Sequence, residues 1–435
     1  MKTFDQVLPQ IREVLSAQDR AGLNSIGPLI INRDLNGKVR LIVSDSVEEN
    51  KPALNVLQSI AETLLIRLEN RAYPFERAVL FEKELDLIKR DVPCFPLEDF
   101  ENVFVIDRLI TEGNWAEIAP VTAGAPRIVF FSIKGGVGRS TALSAAAWTF
   151  AQMGKRVLVL DLDLESPGLS SSLLPFERRP EFGIADWLIE DLVGNGAAVF
   201  ENLTATSPLS HDGEIYVVPA HGRDPGEYVS KLVRVWMSKI DDDGHKKTWS
   251  QRLNKLIDAL EQRWNPDIIL IDSRAGIDEV ASSCVTDLGA GLILLFSIDG
   301  EQTWSGYRIL FSHWRRSAVA REIRERLQIV GAMIPELGAP EYFSSLCERG
   351  YDLFTDELYD EIPAGGVTGD FWSFDQDDSG APHYPWAIKW HRSFAALRSL
   401  HSRLYVIDPE EVSLIFGDLI EGLKRYTNLE ENLHE

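Results

Sequence analysis

The chain has 435 residues, of which 45% are hydrophobic, with a formal charge of -23 and a pI near 4.8. That length allows one large domain with a smaller companion, or two to three domains. No apolar run approaches the ~20 residues that span a bilayer, and the first ten residues, MKTFDQVLPQ, lack the apolar core of a signal peptide. Such an acidic chain repels DNA and anionic lipid except at a local basic patch, which argues against nucleic acid and membrane as partners. Cys94, Cys284 and Cys347 lie far apart and form no disulfide framework or zinc pattern, so a reducing, cytoplasmic setting is expected.

Residues 1–124 are expected to form a small α/β accessory or partner-binding domain. Helical spacing covers 4–15 and 54–68, and short strands are predicted at 28–32, 38–43, 78–81 and 103–106. Asn36-Gly37 marks a tight turn between the first two strands. Asp107-Arg108, at a strand end, is expected to make an ordinary salt bridge. Pro120 to Pro126, rich in Ala and Gly, is the expected linker.

Beyond it, apolar runs alternate with helical segments over residues 125–408, which implies a doubly wound, mostly parallel sheet covered on both faces. Strands are predicted at 128–131, 156–160, 215–218, 268–271, 292–297 and 327–333, with helices at 249–264 and 307–326. Gly154 sits where a C-cap glycine ends the helix that opens at Ser140. Residues 409–426 are expected to form one amphipathic helix with an acidic-leaning polar face, opening a separate C-terminal segment, 409–435. The acidic runs at 241–243 and at Asp375, Asp377 and Asp378 are expected on solvated loops.

Between the first of those strands and its helix stands Lys134-Gly135-Gly136-Val137-Gly138-Arg139-Ser140-Thr141. Glycines let the backbone curl so that several N–H groups converge, and the helix N-terminus adds partial positive charge. Lys134 and Arg139 add full charges, and Ser140 offers a hydroxyl for Mg²⁺. Residues 134–141 are therefore the expected phosphate cradle. Asp272 ends the apolar run 268–271, where an acid reaches the hydration shell of a magnesium ion held at the strand tips. The alternative is an N-cap for the next helix. Asp161 and Asp163 end the run 157–160, and Asp163 has the same alternative as a cap for 169–174.

The loop resembles the deviant Walker A motif of MinD/ParA-type P-loop ATPases, Lys-Gly-Gly-x-Gly-Lys-[Ser/Thr], with Arg139 replacing the last lysine. The resemblance covers roughly residues 127–401. Ser273-Arg274-Ala275-Gly276 resembles that family's switch segment, with Arg274 in the place of proline, and residues 298–310 resemble the stretch beside its dimer seam. The resemblance implies a P-loop NTPase fold, ATP with Mg²⁺, and specific duties. Asp161 lies by the metal with Ser140 and Asp272, Asp163 orients the attacking water, and Lys134 reaches the nucleotide of a second subunit in a homodimer. The base pocket is expected near Met333-Ile334-Pro335 or Glu361-Ile362-Pro363.

The arginine variant is similar to a bacterial subgroup associated with conflict or antiphage systems. It implies slow hydrolysis, because a guanidinium is longer and planar where lysine is a point charge. Two functions follow: a nucleotide-dependent dimeric switch that signals to a protein partner, or a scaffold clamped by ATP that never turns over.

Overall fold

The computed structural model describes residues 3–90, 92–108, 114–241, 244–363, 371–394 and 400–428. The chain divides into two units: residues 1–117 with 316–319, and residues 118–315 with 320–435.

The smaller unit is built on a five-stranded mixed sheet. Its strands are β1 (Leu29–Arg33), β2 (Val39–Ser44), β3 (Val79–Glu82), β4 (Cys94–Pro96) and β5 (Val103–Asp107), in the order β3-β2-β1-β5-β4. The turn between β1 and β2 is a loop of Asp34 to Lys38. Asp34 Oδ1 accepts from the Asn36 and Lys38 amides, and Gly37 adopts φ 70°. Helix Lys51–Leu68 is capped by Asn50 and buries Leu57, Ile60, Ala61 and Leu64 in a core shared with helix Val7–Ser16. The sequence pattern misses β4 because Pro93 precedes it and Pro96 is its last residue, a composition that an edge strand tolerates. Asp107 pairs with Arg33, its register partner across the parallel strands, while Arg108 donates to Asn32.

The larger unit holds an eight-stranded sheet. Its strands are β6 (Arg127–Ser132), β7 (Arg156–Asp161), β8 (Ala205–Thr206), β9 (Glu214–Val218), β12 (Ile268–Ala275), β13 (Leu292–Ser297), β14 (Leu327–Ile334) and β15 (Trp386–Lys389). A small hairpin, β10 (Lys239–Ile240) with β11 (Lys246–Lys247), stands apart from it. The order is β15-β14-β13-β6-β12-β7-β9-β8, all parallel except the two-residue β8. The fold is therefore α/β, a doubly wound and mostly parallel sheet accompanied by a smaller N-terminal α/β unit. Along β6, Ile128 and Phe130 join the core that helices Arg139–Gln152 and Pro409–Thr427 complete. Phe131 points to the opposite face, edge-on to Tyr307.

Several expectations shift. The stretch 120–126, expected as a linker, is tied into the larger unit: Ala119 and Thr122 amides donate to the Thr286 and Gly289 carbonyls. The helix expected over 307–326 runs from Glu301 to Arg316 and breaks at Ala318, whose φ is 61°. Helix Pro409–Thr427 lays Val412, Ile415, Phe416, Leu419 and Leu423 into the larger core. Gly422 there lies so close to Trp386 of β15 that an added Cβ would come within 2.5 Å of the indole. Asp375, Asp377 and Asp378 are exposed, Asp241 is half-buried, and Asp242 and Asp243 lie outside the described residues.

Candidate functional site

β6 ends at Ser132, and helix Arg139–Gln152 starts seven residues on, at the middle of the sheet. The turn between them needs glycine twice, because Gly136 and Gly138 adopt φ 76° and 81°. Gly138 is the N-cap and supplies no side-chain acceptor, so the first amides of the helix are left for another partner. Nothing lies within 4 Å of an added Cβ at Gly135, Gly136 or Gly138, so the loop faces open space. Lys134 is exposed and makes no ion pair among the described residues, whereas Arg139 is only 7% exposed.

Three carboxylates converge beside the loop. Asp161, the last residue of β7, and Asp272, within β12, are register partners on adjacent strands, and Asp272 also stands opposite Phe130 of β6. Asp163 follows two residues after Asp161. Arg139 reaches back into this group. Its Nε donates to Asp272 (2.7 Å), one Nη to Asp163 (3.1 Å) and the other to Ser132 Oγ (2.9 Å). Burial opposes the guanidinium charge, yet Asp272 and then Asp163 outweigh it and hold its pKa above the ordinary range. Burial is also the largest influence on Asp163 and raises its pKa, which the pairing with Arg139 does not offset. Asp161 is fully buried and raised furthest, by burial first and then by Asp272 and Asp163. Its Oδ2 accepts from the Leu169 amide, and its Oδ1 is buried with no hydrogen-bond partner.

The capping alternatives find other owners. Asp278 caps the helix after β12, accepting from Val280 and Ala281 amides, while Asp272 lies within the strand. Asp161, not Asp163, receives the Leu169 amide. Arg274 extends β12 past Asp272 and forms ion pairs with Glu165 (2.5 Å) and Asp278 (3.2 Å). Sequence reasoning gave neither Ser132 nor Asp278 a place here. The signal for Ser132 lies in its position, the last strand residue before the loop.

The loop and Asp163 line one open cavity of about 530 Å³. Its lining is Ser132, Gly135 to Thr141, Asp163, Ser166, Arg274 and Ala275, and Lys134, Asp161 and Asp272 are outside it. Pro335 and Ile334 line a second cavity, of about 640 Å³, with Phe343, Lys389, Trp390 and Leu414. Glu361, Ile362 and Pro363 do not line it and are exposed. Gly306, in the stretch expected beside a dimer seam, backs the loop: an added Cβ would lie 2.4 Å from Ile133. No helix among the described residues is long and apolar enough to cross a membrane.

Residues 128–337 match the family described as the CobQ/CobB/MinD/ParA nucleotide binding domain. Three solved structures are similar over most of the chain. pNOB8 ParA bound to nonspecific DNA is 15% identical, covering 70% of this chain and 100% of that one, with a TM-score of 0.43. MinD complexed with Mg-ADP from Pyrococcus horikoshii OT3 is 17% identical, covering 71% and 100%, with a TM-score of 0.42. A ParA family ATPase from Chlorobium tepidum TLS is 17% identical, covering 69% and 100%, with a TM-score of 0.43. Among curated proteins, the imidazole glycerol phosphate synthase subunit HisF of Bacillus cereus (strain AH187) is 32% identical over 124 residues, which are 28% of this chain. The chain thus spans about half, 48%, of that relative's length. The matched segment contains the glycine loop, all three carboxylates and Arg274, so residues 128–337 are similar to a MinD/ParA-type P-loop nucleotide binding domain.

Proposed function

We propose that this protein is a Mg-ATP-dependent dimeric switch that hydrolyses ATP slowly and signals to a protein partner. One observation carries the reading: a glycine turn at a helix N-terminus lines a cavity with Asp163 and Arg139, and Arg139 donates to Asp163 and to Asp272, the register partner of Asp161 on the neighbouring strand. Backbone N–H groups and a helix end favour phosphate oxygens, and strand-tip acids favour a hydrated magnesium ion.

The residues fit both groups. Asp161 Oδ1, buried and unpartnered, is the kind of oxygen a cation or its water satisfies. Among the described residues no cluster of three or more His, Cys, Asp or Glu is placed to hold a metal alone. Magnesium here would draw on the Ser140 hydroxyl, on Asp161 and Asp272 through water, and on phosphate oxygens, the mixed shell it prefers. Bound there, it supplies neutralisation of phosphate charge. The loop amides 135–141 hold and orient the phosphate chain. Asp163 holds the attacking water by one proton. Arg139 supports the slow rate, since its guanidinium is committed to Asp272 and Asp163 and must leave them to serve phosphate.

Lys134, exposed and outside the cavity wall, is free to reach a second subunit, which makes ATP the glue of a homodimer. The smaller unit would choose the protein partner, and a bacterial antiphage setting belongs to this reading through the loop's resemblance alone. The tethered Arg139 also favours a second reading, an ATP-clamped scaffold without turnover. Asp163→Ala separates them. Phosphate release that disappears in the variant while dimerisation persists supports the switch; a parent chain that binds ATP and releases no phosphate supports the scaffold.

A further inference from the structure

Two cations line the cavity among the described residues, Arg139 and Arg274. Their situations differ. Arg139 is buried and donates to three acceptors. The Arg274 side chain is 31% exposed and is held by two partly exposed acids, Glu165 at 42% and Asp278 at 26%. Ion pairs of that exposure contribute little stability, so exchanging one for another anion costs little. A planar guanidinium forms stronger, paired bonds with phosphate oxygens.

The two acids also lie on different elements. Glu165 belongs to the loop that carries Asp163 after β7, and Asp278 caps the helix after β12. Arg274 therefore ties together the two segments that bear the acids. It lines the same cavity as the glycine loop and Asp163.

We infer that Arg274 senses the terminal phosphate: the last phosphate of a nucleoside triphosphate competes with Glu165 and Asp278 for its guanidinium and, on winning it, releases the loop of Glu165. The inference rests on the nucleotide reading above and adds a residue that tells triphosphate from diphosphate. Because a diphosphate offers Arg274 no third phosphate, the clasp stays shut with it. Glu165 competes with phosphate for the same guanidinium, so its removal should favour the triphosphate further.

The test is calorimetry on the full chain with Mg-ADP and with the Mg complex of β,γ-imido-ATP, which resists hydrolysis. Thermal melting first establishes that Arg274→Gln, Arg274→Lys and Glu165→Gln remain folded. The parent is expected to bind the imido analogue about tenfold or more tighter than ADP, the scale of one charge-assisted contact. Arg274→Gln should bring the two affinities together with ADP binding little changed. Arg274→Lys should keep part of the preference, and Glu165→Gln should widen it. An Arg274→Gln chain with the parent's preference, or with both nucleotides weakened equally, overturns the sensor while leaving the nucleotide site intact. A folded parent that binds neither nucleotide overturns the underlying reading instead.

Discussion

Arg139 Nε donates to Asp272 Oδ1 at 2.7 Å, between side chains that are 8% and 1% exposed. The residue expected to follow the phosphates is thus the counter-ion of a buried acid cluster. Breaking one partner of a buried pair leaves an uncompensated charge and costs roughly 3–5 kcal/mol. Arg139→Ala should destabilise the larger unit on that scale in urea unfolding. Arg139→Ala with Asp272→Asn should recover part of the loss, because the orphaned charge is gone.

A second test concerns the C-terminal helix. Alanine for glycine within a helix ordinarily gains about 1 kcal/mol. At Gly422 the added methyl would meet the Trp386 ring at 2.5 Å, and overpacking against a rigid indole costs about 1–3 kcal/mol. The clash should win. Gly422→Ala is expected to lower the melting temperature and shift tryptophan emission, and Gly422→Leu to do both more strongly.

These two sites mark what the sequence made legible. Strands of near-continuous apolar residues, such as β7 and β13, were readable because a sheet covered on both faces demands them. That the loop and the three acids would lie near one another was readable, because apolar strand runs followed by glycine or acid fix where those residues fall in a parallel sheet. Where Arg139 points was not, since the direction of a long side chain depends on Asp272, 133 residues away. Edge strands β4 and β15 were missed: three or four residues with proline or tryptophan carry no periodic signal, and tertiary neighbours decide them.

His383 gives a pH signature. It is fully buried; Nδ1 faces the Tyr359 hydroxyl and Nε2 lies 3.2 Å from the Gln376 carbonyl. That arrangement suits the neutral ring, with Nε2–H donating and Nδ1 accepting. Burial lowers its pKa below the ordinary 6.5, against smaller opposing effects of Gln376 and Asp378. The unfolded chain then binds the proton more readily, so the stabilisation is present above pH 6.5 and is lost as pH falls through the depressed folded value. His383→Phe should flatten the acid slope of stability in that window by up to about 1.4 kcal/mol per pH unit. An unchanged slope would contradict the assignment.

Lys134 separates binding from assembly. It is exposed and outside the cavity wall, so Lys134→Ala should leave stability within about 0.5 kcal/mol. Light scattering should show the parent's mass double with Mg-ATP and the variant's stay monomeric. A mass that ignores nucleotide in both chains would contradict the dimer.

The central claim is that the turn after β6 grips a triphosphate with magnesium steadied by Ser140, Asp161 and Asp272. Isothermal calorimetry with Mg-ATP on folded parent chain, repeated with EDTA and on Asp161→Asn, tests it most directly. Saturable heat in the parent, reduced at least about tenfold in affinity by either change, is the predicted result. No heat with any Mg-nucleoside triphosphate would contradict it.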